Sequence, residues 1–210
     1  MKKLTISILF VLAVAISFVS NADMVLEINF PTIISHSQIV FRGVFEESEP
    51  VELPGKLFVT KNKFRVIDII KGEDEILKQG SKEYLEFYQY GLSKKESQKR
   101  GMSFAVNFPE FKPGSELVIC LSKLSEKPLA GDVRVRDILG FSQGVFNVEY
   151  DADGKANIVN SFSNKNLFKN LPKSQGVSKV LKAGNIDVSN PPSGPISYDS
   201  FKAMVKEMNK

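Results

Sequence analysis

The chain has 210 residues, 42% hydrophobic and 25% charged, with a formal charge of +4 at pH 7. That length is enough for one domain with a sizeable core. Its Lys and Arg residues are interspersed with Asp and Glu, which argues against a nucleic-acid partner, and its single Cys excludes an intrachain disulfide.

At the N-terminus, Lys2 and Lys3 precede an apolar run from Leu4 to Val19, broken only by Thr5, Ser7 and Ser17, and Ser20-Asn21-Ala22 follows. A basic start, an apolar middle and small residues at the −3 and −1 positions predict a signal peptide over 1–22, cleaved near Ala22/Asp23. An uncleaved anchor would need about 20 apolar residues, more than this run supplies. Cleavage implies a periplasmic or secreted protein, and no later stretch is long enough to span a membrane. Removing Lys2 and Lys3 also takes away half of the net positive charge.

Residues 23–36 form an amphipathic lead-in segment with Val25, Ile28, Ile33 and Ile34 as its apolar positions. Pro31 limits any helix there to a turn or two on either side. Gln38 to Phe45, rich in β-branched and aromatic residues, predicts the first strand. Glu46-Glu47-Ser48-Glu49-Pro50 reads as a charged break, and Pro54-Gly55 as a turn. The longest strand candidate is Leu57 to Ile70. Phe58, Thr60, Asn62, Phe64 and Val66 share one face by period two, and the apolar phase then switches to Ile67 and Ile69. A bulge or strong coil would produce that switch, and so would burial on both faces near the strand end.

Further strands are expected over Tyr84–Tyr90, Glu116–Ser122, Val145–Tyr150 and Lys155–Phe162. The Glu116–Ser122 segment is apolar on both faces and therefore reads as central. Asp151-Ala152-Asp153-Gly154 joins the last two as a hairpin turn. The segment 171–195 contains Pro172, Gly176, Gly184, Pro191, Pro192, Gly194 and Pro195 and reads as a flexible linker. Beyond it, 196–210 predicts a terminal helix. Ser197 is its N-cap, and Tyr198, Phe201, Met204, Val205 and Met208 form one stripe.

Few residues have the chemistry of a catalyst. His36 is the only histidine, beside Ser35 and Ser37, and reads as a surface or capping residue. Cys120 lies within Leu117-Val118-Ile119-Cys120-Leu121 and reads as a buried small hydrophobe, with no neighbouring base or cation to activate it. Asp151 to Gly154 resembles the start of a calcium loop, but Gly154 falls at position four, Lys155 at five and Phe162 at twelve, so the ligand pattern fails. Without a recognisable nucleophile, base or metal-ligand set, the chain reads as a non-enzyme with no cofactor. A pair of carboxylates meeting in the fold stays open. The polar segment Gly91–Ser103 holds Lys94, Lys95, Lys99 and Arg100. It reads either as a solvated loop or as a contact surface for an acidic protein or an anionic envelope component.

Three pieces carry a resemblance: Ser37-Gln38-Ile39-Val40-Phe41-Arg42-Gly43-Val44, Thr60 through Lys71-Gly72, and Phe111-Lys112-Pro113-Gly114-Ser115-Glu116-Leu117-Val118-Ile119-Cys120-Leu121. Their order resembles a widespread, poorly characterised group of bacterial exported proteins, and Gly140 to Val148 is similar to that group's next segment. The first two pieces also resemble the netrin/TIMP module, a small OB-like five-stranded barrel. The likeness covers roughly residues 37–150. TIMP proteins inhibit metalloproteases through an N-terminal, cysteine-anchored ridge, and this chain has no cysteine there.

The sequence therefore predicts a mainly β protein: an OB-like, partly closed antiparallel barrel over 37–165, with a short N-terminal helix and a C-terminal amphipathic helix. The function expected is an exported, non-enzymatic binding or interaction module. The alternatives are a carboxylate-dependent hydrolase acting on cell-envelope polymers, or an adhesin or protease inhibitor.

Overall fold

The structure is a computed structural model that describes residues 28–78, 80–104, 108–165, 167–172, 174–187, 190 and 192–210. The expected signal peptide and its cleavage point lie outside the described residues. Seven strands form one antiparallel sheet among them: β1 (Ile39–Leu53), β2 (Leu57–Lys71), β3 (Tyr84–Tyr90), β4 (Glu116–Leu121), β5 (Val145–Tyr150), β6 (Ala156–Asn160) and β7 (Ile196–Ser197). Their order is β3-β2-β1-β4-β5-β6-β7, so the sheet is open, with β3 and β7 at its ends. Two isolated bridges, Tyr88 to Val135 and Leu121 to Ile138, set the 133–138 segment against both β3 and the end of β4. The helices are α1 (Phe30–His36), α2 (Glu73–Leu77), α3 (Lys94–Lys99), α4 (Gln175–Ala183) and α5 (Tyr198–Met208), with a 3₁₀ turn at Phe141–Gly144. No helix among the described residues is long and apolar enough to cross a membrane.

The central strand β4 explains the two-layered core. Leu117, Ile119 and Leu121 point into one apolar layer, while Val118 and Cys120 point into the other. Period-two alternation with both faces covered makes the strand apolar throughout.

Helices cover the second layer. α1 begins where the Asn29 side chain accepts a hydrogen bond from the Thr32 N–H at 3.1 Å. Pro31 occupies its first turn, where the missing N–H has no helical partner to lose. α5 is capped by Ser197, whose hydroxyl oxygen accepts from the Ser200 N–H, and it buries Tyr198, Phe201, Met204 and Val205. The Phe201 ring meets Phe30 at 5.5 Å and Phe146 at 5.2 Å, centre to centre. Burying one such side chain is worth about 1.5–3 kcal/mol, which ties α1 and α5 to the sheet.

Three expectations are corrected. The Glu46–Pro50 charges do not break the first strand. β1 runs through them to Leu53, paired with β2 in a long hairpin. β4 pairs only with residues 39–44 of β1, so beyond them β1 has β2 as its one ladder partner, and Pro50 is tolerated at such an edge. Glu46 and Glu47 both approach Lys63 of β2, at 3.6 and 3.7 Å. The expected 171–195 linker contains α4, capped by the Ser174 hydroxyl and burying Val180 and Leu181. Gly184 ends it at a close approach to α5: a Cβ there would lie 2.5 Å from Met204 Cγ and 3.1 Å from the Ser200 carbonyl oxygen. Gly91–Ser103, the third, holds a short helix, α3, where a loop was expected.

The phase switch in β2 coincides with irregular register. Gly43 pairs with Val66 and Arg42 with Asp68, so Ile67 is skipped. An extra residue of this kind bends the strand and leaves Ile67 45% exposed.

Candidate functional site

The Gly91–Ser103 segment is not a plain loop, because α3 lies inside it. Ser93 caps α3, its hydroxyl oxygen accepting from the Glu96 N–H at 3.2 Å. Ser93-Lys94-Lys95-Glu96 is thus a capping-box sequence that sequence reasoning passed over. The segment is pinned at its Gly91 end. The Gly91 N–H donates to the Phe58 carbonyl at 3.1 Å, and the Thr60 hydroxyl donates to the Gly91 carbonyl at 2.8 Å. Gly91 has φ +102 and lies under the Phe108 ring, a conformation open to few residues besides glycine. The Lys94 N–H donates to Glu110 at 2.8 Å.

Between this segment, the open end of β2–β3 and the 141 turn lies a cleft of about 460 Å³. Its walls are mainly aromatic and aliphatic: Phe58, Tyr90, Leu92, Phe104, Phe108 and Phe141. Among the described residues, three of the seven exposed large hydrophobic residues border it, Tyr90 at 55%, Phe141 at 49% and Met102 at 40%. Phe141 also has φ +50, a left-handed conformation that costs a bulky side chain roughly 1–2 kcal/mol. The turn holds it there, because the Phe141 N–H donates to the Ile138 carbonyl at 3.1 Å and the Leu139 N–H to the Cys120 carbonyl at 3.0 Å.

The four basic residues singled out in the sequence divide. Lys99 and Arg100 both approach Glu96, at 2.7 and 3.7 Å, so much of their charge is matched locally. Lys95 is exposed and makes no ion pair among the described residues. Lys94 Nζ stands 5.2 Å from the centre of the Phe104 ring, and the Arg100 guanidinium 5.1 Å from that of Phe58. Two cations therefore sit on two of the rings that wall the cleft, each such contact worth about 0.5–1 kcal/mol at an exposed position.

Another hollow, of about 580 Å³, shares Phe108 with this cleft. Glu110, Lys112, Ser142 and Asn147 interrupt its apolar lining, so it has no continuous apolar wall.

The other candidate residues are occupied structurally. His36 is exposed, with Nδ1 2.9 Å from the Thr32 carbonyl oxygen, the position of a donated N–H. Cys120 is fully buried, and burial pushes its thiol up to about 12, far from a thiolate at neutral pH. Asp151 Oδ1 accepts from the N–H groups of Asp153 at 3.0 Å and Lys155 at 2.8 Å, which closes the β5–β6 turn. Among the described residues, no three His, Cys, Asp or Glu side chains gather where they could hold a metal ion.

Two charged groups stitch the fold together. The Arg136 guanidinium is only 2% exposed. It donates to the Ser122 carbonyl at 2.9 Å, to Gln38 at 3.1 Å and to Glu75 at 3.3 Å. Its backbone N–H meanwhile donates to the Tyr88 carbonyl, so it joins β3, α2 and the residues flanking β1 and β4, beside the cleft residue Asp137. Asp68 on β2 accepts from the Tyr198 hydroxyl at 2.8 Å and from Lys202 of α5. Burial alone would raise its carboxyl, but the hydrogen bonds from Lys202 and Tyr198 outweigh burial and hold it below the ordinary carboxylate range.

Comparison of the chain with known protein families, with curated proteins and with solved structures returns no match.

Proposed function

We propose that this chain is an exported, non-enzymatic binding module that takes a partly apolar ligand in the cleft walled by Phe58, Phe104 and Phe141. One observation carries the reading: three exposed large hydrophobic residues converge on a single concavity. Apolar surface concentrated in this way marks interaction sites on folded proteins. The volume lies in the range of small-ligand sites, about 300–1,000 Å³.

The OB-like part of the reading is supported by the two bridges of the 133–138 segment, which approach closure of β3-β2-β1-β4 into a short barrel. OB-like barrels hold ligands across a sheet face and its adjoining loops, and the cleft adjoins β2–β3 and the α3 segment. Export rests on the sequence of residues 1–22, and mass spectrometry of the secreted or periplasmic protein should find Asp23 as its first residue.

A titration with a neutral naphthalene dye tests the binding reading. Fluorescence should rise saturably with the wild-type chain and fail to rise with Ser103→Trp, which fills the cleft from an exposed position. Saturable binding that Ser103→Trp leaves intact, or no binding of any apolar probe, overturns the reading.

A further inference from the structure

Resting on that reading, we propose that the ligand is an anionic amphiphile: one apolar chain ending in a carboxylate or a phosphate. The walls supply the apolar half. Phe58, Leu92, Phe104 and Phe108 offer hydrocarbon and ring faces, while the polar side chains of the lining come to Lys56, Tyr90 through its hydroxyl, Ser97, Ser103 and Asp137, with Ser97 buried. A saccharide bears hydroxyl groups along its length, and each one taken out of water needs a partner. This lining has too few. A protein partner would be expected to cover a broad patch of about 800 Å² on its side, whereas the apolar surface here is folded into a concavity.

The rim supplies the charge. Lys94 stands on the Phe104 ring and Arg100 on the Phe58 ring. Lys56, in a left-handed conformation at the β1–β2 turn, also lines the cleft. Lys56 and Lys94 make no ion pair among the described residues. The acids nearby are Asp137 in the lining, Glu96, which approaches Lys99 and Arg100, and Glu110, which accepts the Lys94 backbone N–H. A ligand chain lying against Phe58 and Phe104 thus brings its head toward Lys94, held on the Phe104 ring, and Lys56 in the lining, while Arg100 on Phe58 shares its charge with Glu96. An anionic head is complementary to them, and a neutral head leaves them as they are.

Calorimetric titration of the full chain with dodecanoate, dodecyl phosphate and neutral dodecyl maltoside, each below its micelle concentration, separates the sources. Both anionic probes should bind about tenfold or more tighter than the maltoside, a difference of ~1.4 kcal/mol. The paired variant Lys56→Gln/Lys94→Gln should erase that preference, bringing the anionic affinities down to that of the maltoside, with the melting temperature unchanged. Preference for dodecyl phosphate over dodecanoate would assign the head to a phosphate source, and the reverse to a free fatty acid. Equal binding of neutral and anionic probes overturns this inference and leaves the binding module standing. No binding of any probe removes both. Retention on phosphatidylglycerol vesicles without binding of monomeric dodecanoate would mean a membrane surface, and also overturns the inference.

Discussion

The two apolar layers of the sheet end differently. The layer carrying Val118, Cys120 and Phe146 is roofed by α1, α4 and α5, and its large rings, Phe30, Phe146 and Phe201, are wholly buried. The opposite layer packs Phe41, Phe45, Phe64 and Phe87 with equal closeness. Beyond Phe64 and Phe87, however, that face of the β2–β3 ladder runs on through Asn62, Thr60 and Gln89 to Phe58, and the exposed Tyr90 ends β3 beside it. One layer spends its aromatic residues on holding the fold together. The other keeps several at an opening, where they add little stability and are free to meet a ligand.

The sharpest way to break that contrast is to remove one ring from each side. Phe201→Ala should lower stability by about 3–5 kcal/mol, the cost of an emptied core position. Phe104→Ala should cost less than about 1 kcal/mol, yet weaken dye binding most. Urea melts of both variants, beside dye titration of the second, check the pair. Equal losses of stability would mean that the cleft is only core.

Next in size is Arg136→Met, which keeps the bulk and removes the hydrogen bonds to Ser122, Gln38 and Glu75. It should cost about 2–3 kcal/mol and loosen the 133–138 segment, readable as faster amide exchange at Arg136. Gly184→Ala tests how closely α4 approaches α5. The added methyl would press on Met204 and the Ser200 carbonyl, with a cost of about 1–2 kcal/mol in thermal unfolding.

The smallest effect is electrostatic. The folded Asp68 carboxyl is held below its unfolded value, so its contribution is present above the ordinary carboxylate range near 3.9. It is lost as pH falls through the lower, folded value. Asp68→Asn should therefore cost about 0.5–1 kcal/mol at neutral pH and narrow its gap to wild type as the medium is acidified below about pH 4. Melting curves across that range read it directly. A gap that widens on acidification would assign Asp68 the opposite sign.

Much of the roofed layer was legible in the sequence, because its signals are local. β4 announces itself as five apolar residues in a row, the Asp151–Gly154 turn by its own composition, and α5 by a capping serine and a stripe at spacings of three and four. α4 was hidden by Pro172, Gly176 and Gly184, although Val177, Val180 and Leu181 follow Ser174 at helical spacing. The charged stretch of β1 looked like a break because Lys63, which approaches Glu46 and Glu47, stands on the next strand, and a linear pattern does not show cross-strand charge pairing.

The cleft was legible only in part. Lys94, Lys95, Lys99 and Arg100 drew attention to the right segment, but as charge. Phe58, Tyr90, Phe104, Phe108 and Phe141 lie on separate stretches of chain, and each alone is an ordinary aromatic. Only the turn at Gly140–Phe141 and the closing of the 91–104 segment onto β2 bring them together.

The most direct test of the account is an amide chemical-shift map of the isotope-labelled chain titrated with dodecanoate. The account predicts saturable shifts at Phe58, Gly91, Leu92, Phe104 and Phe141, with α4 and α5 unmoved. Shifts centred on the helical face, or none at concentrations where the dye binds, would contradict it.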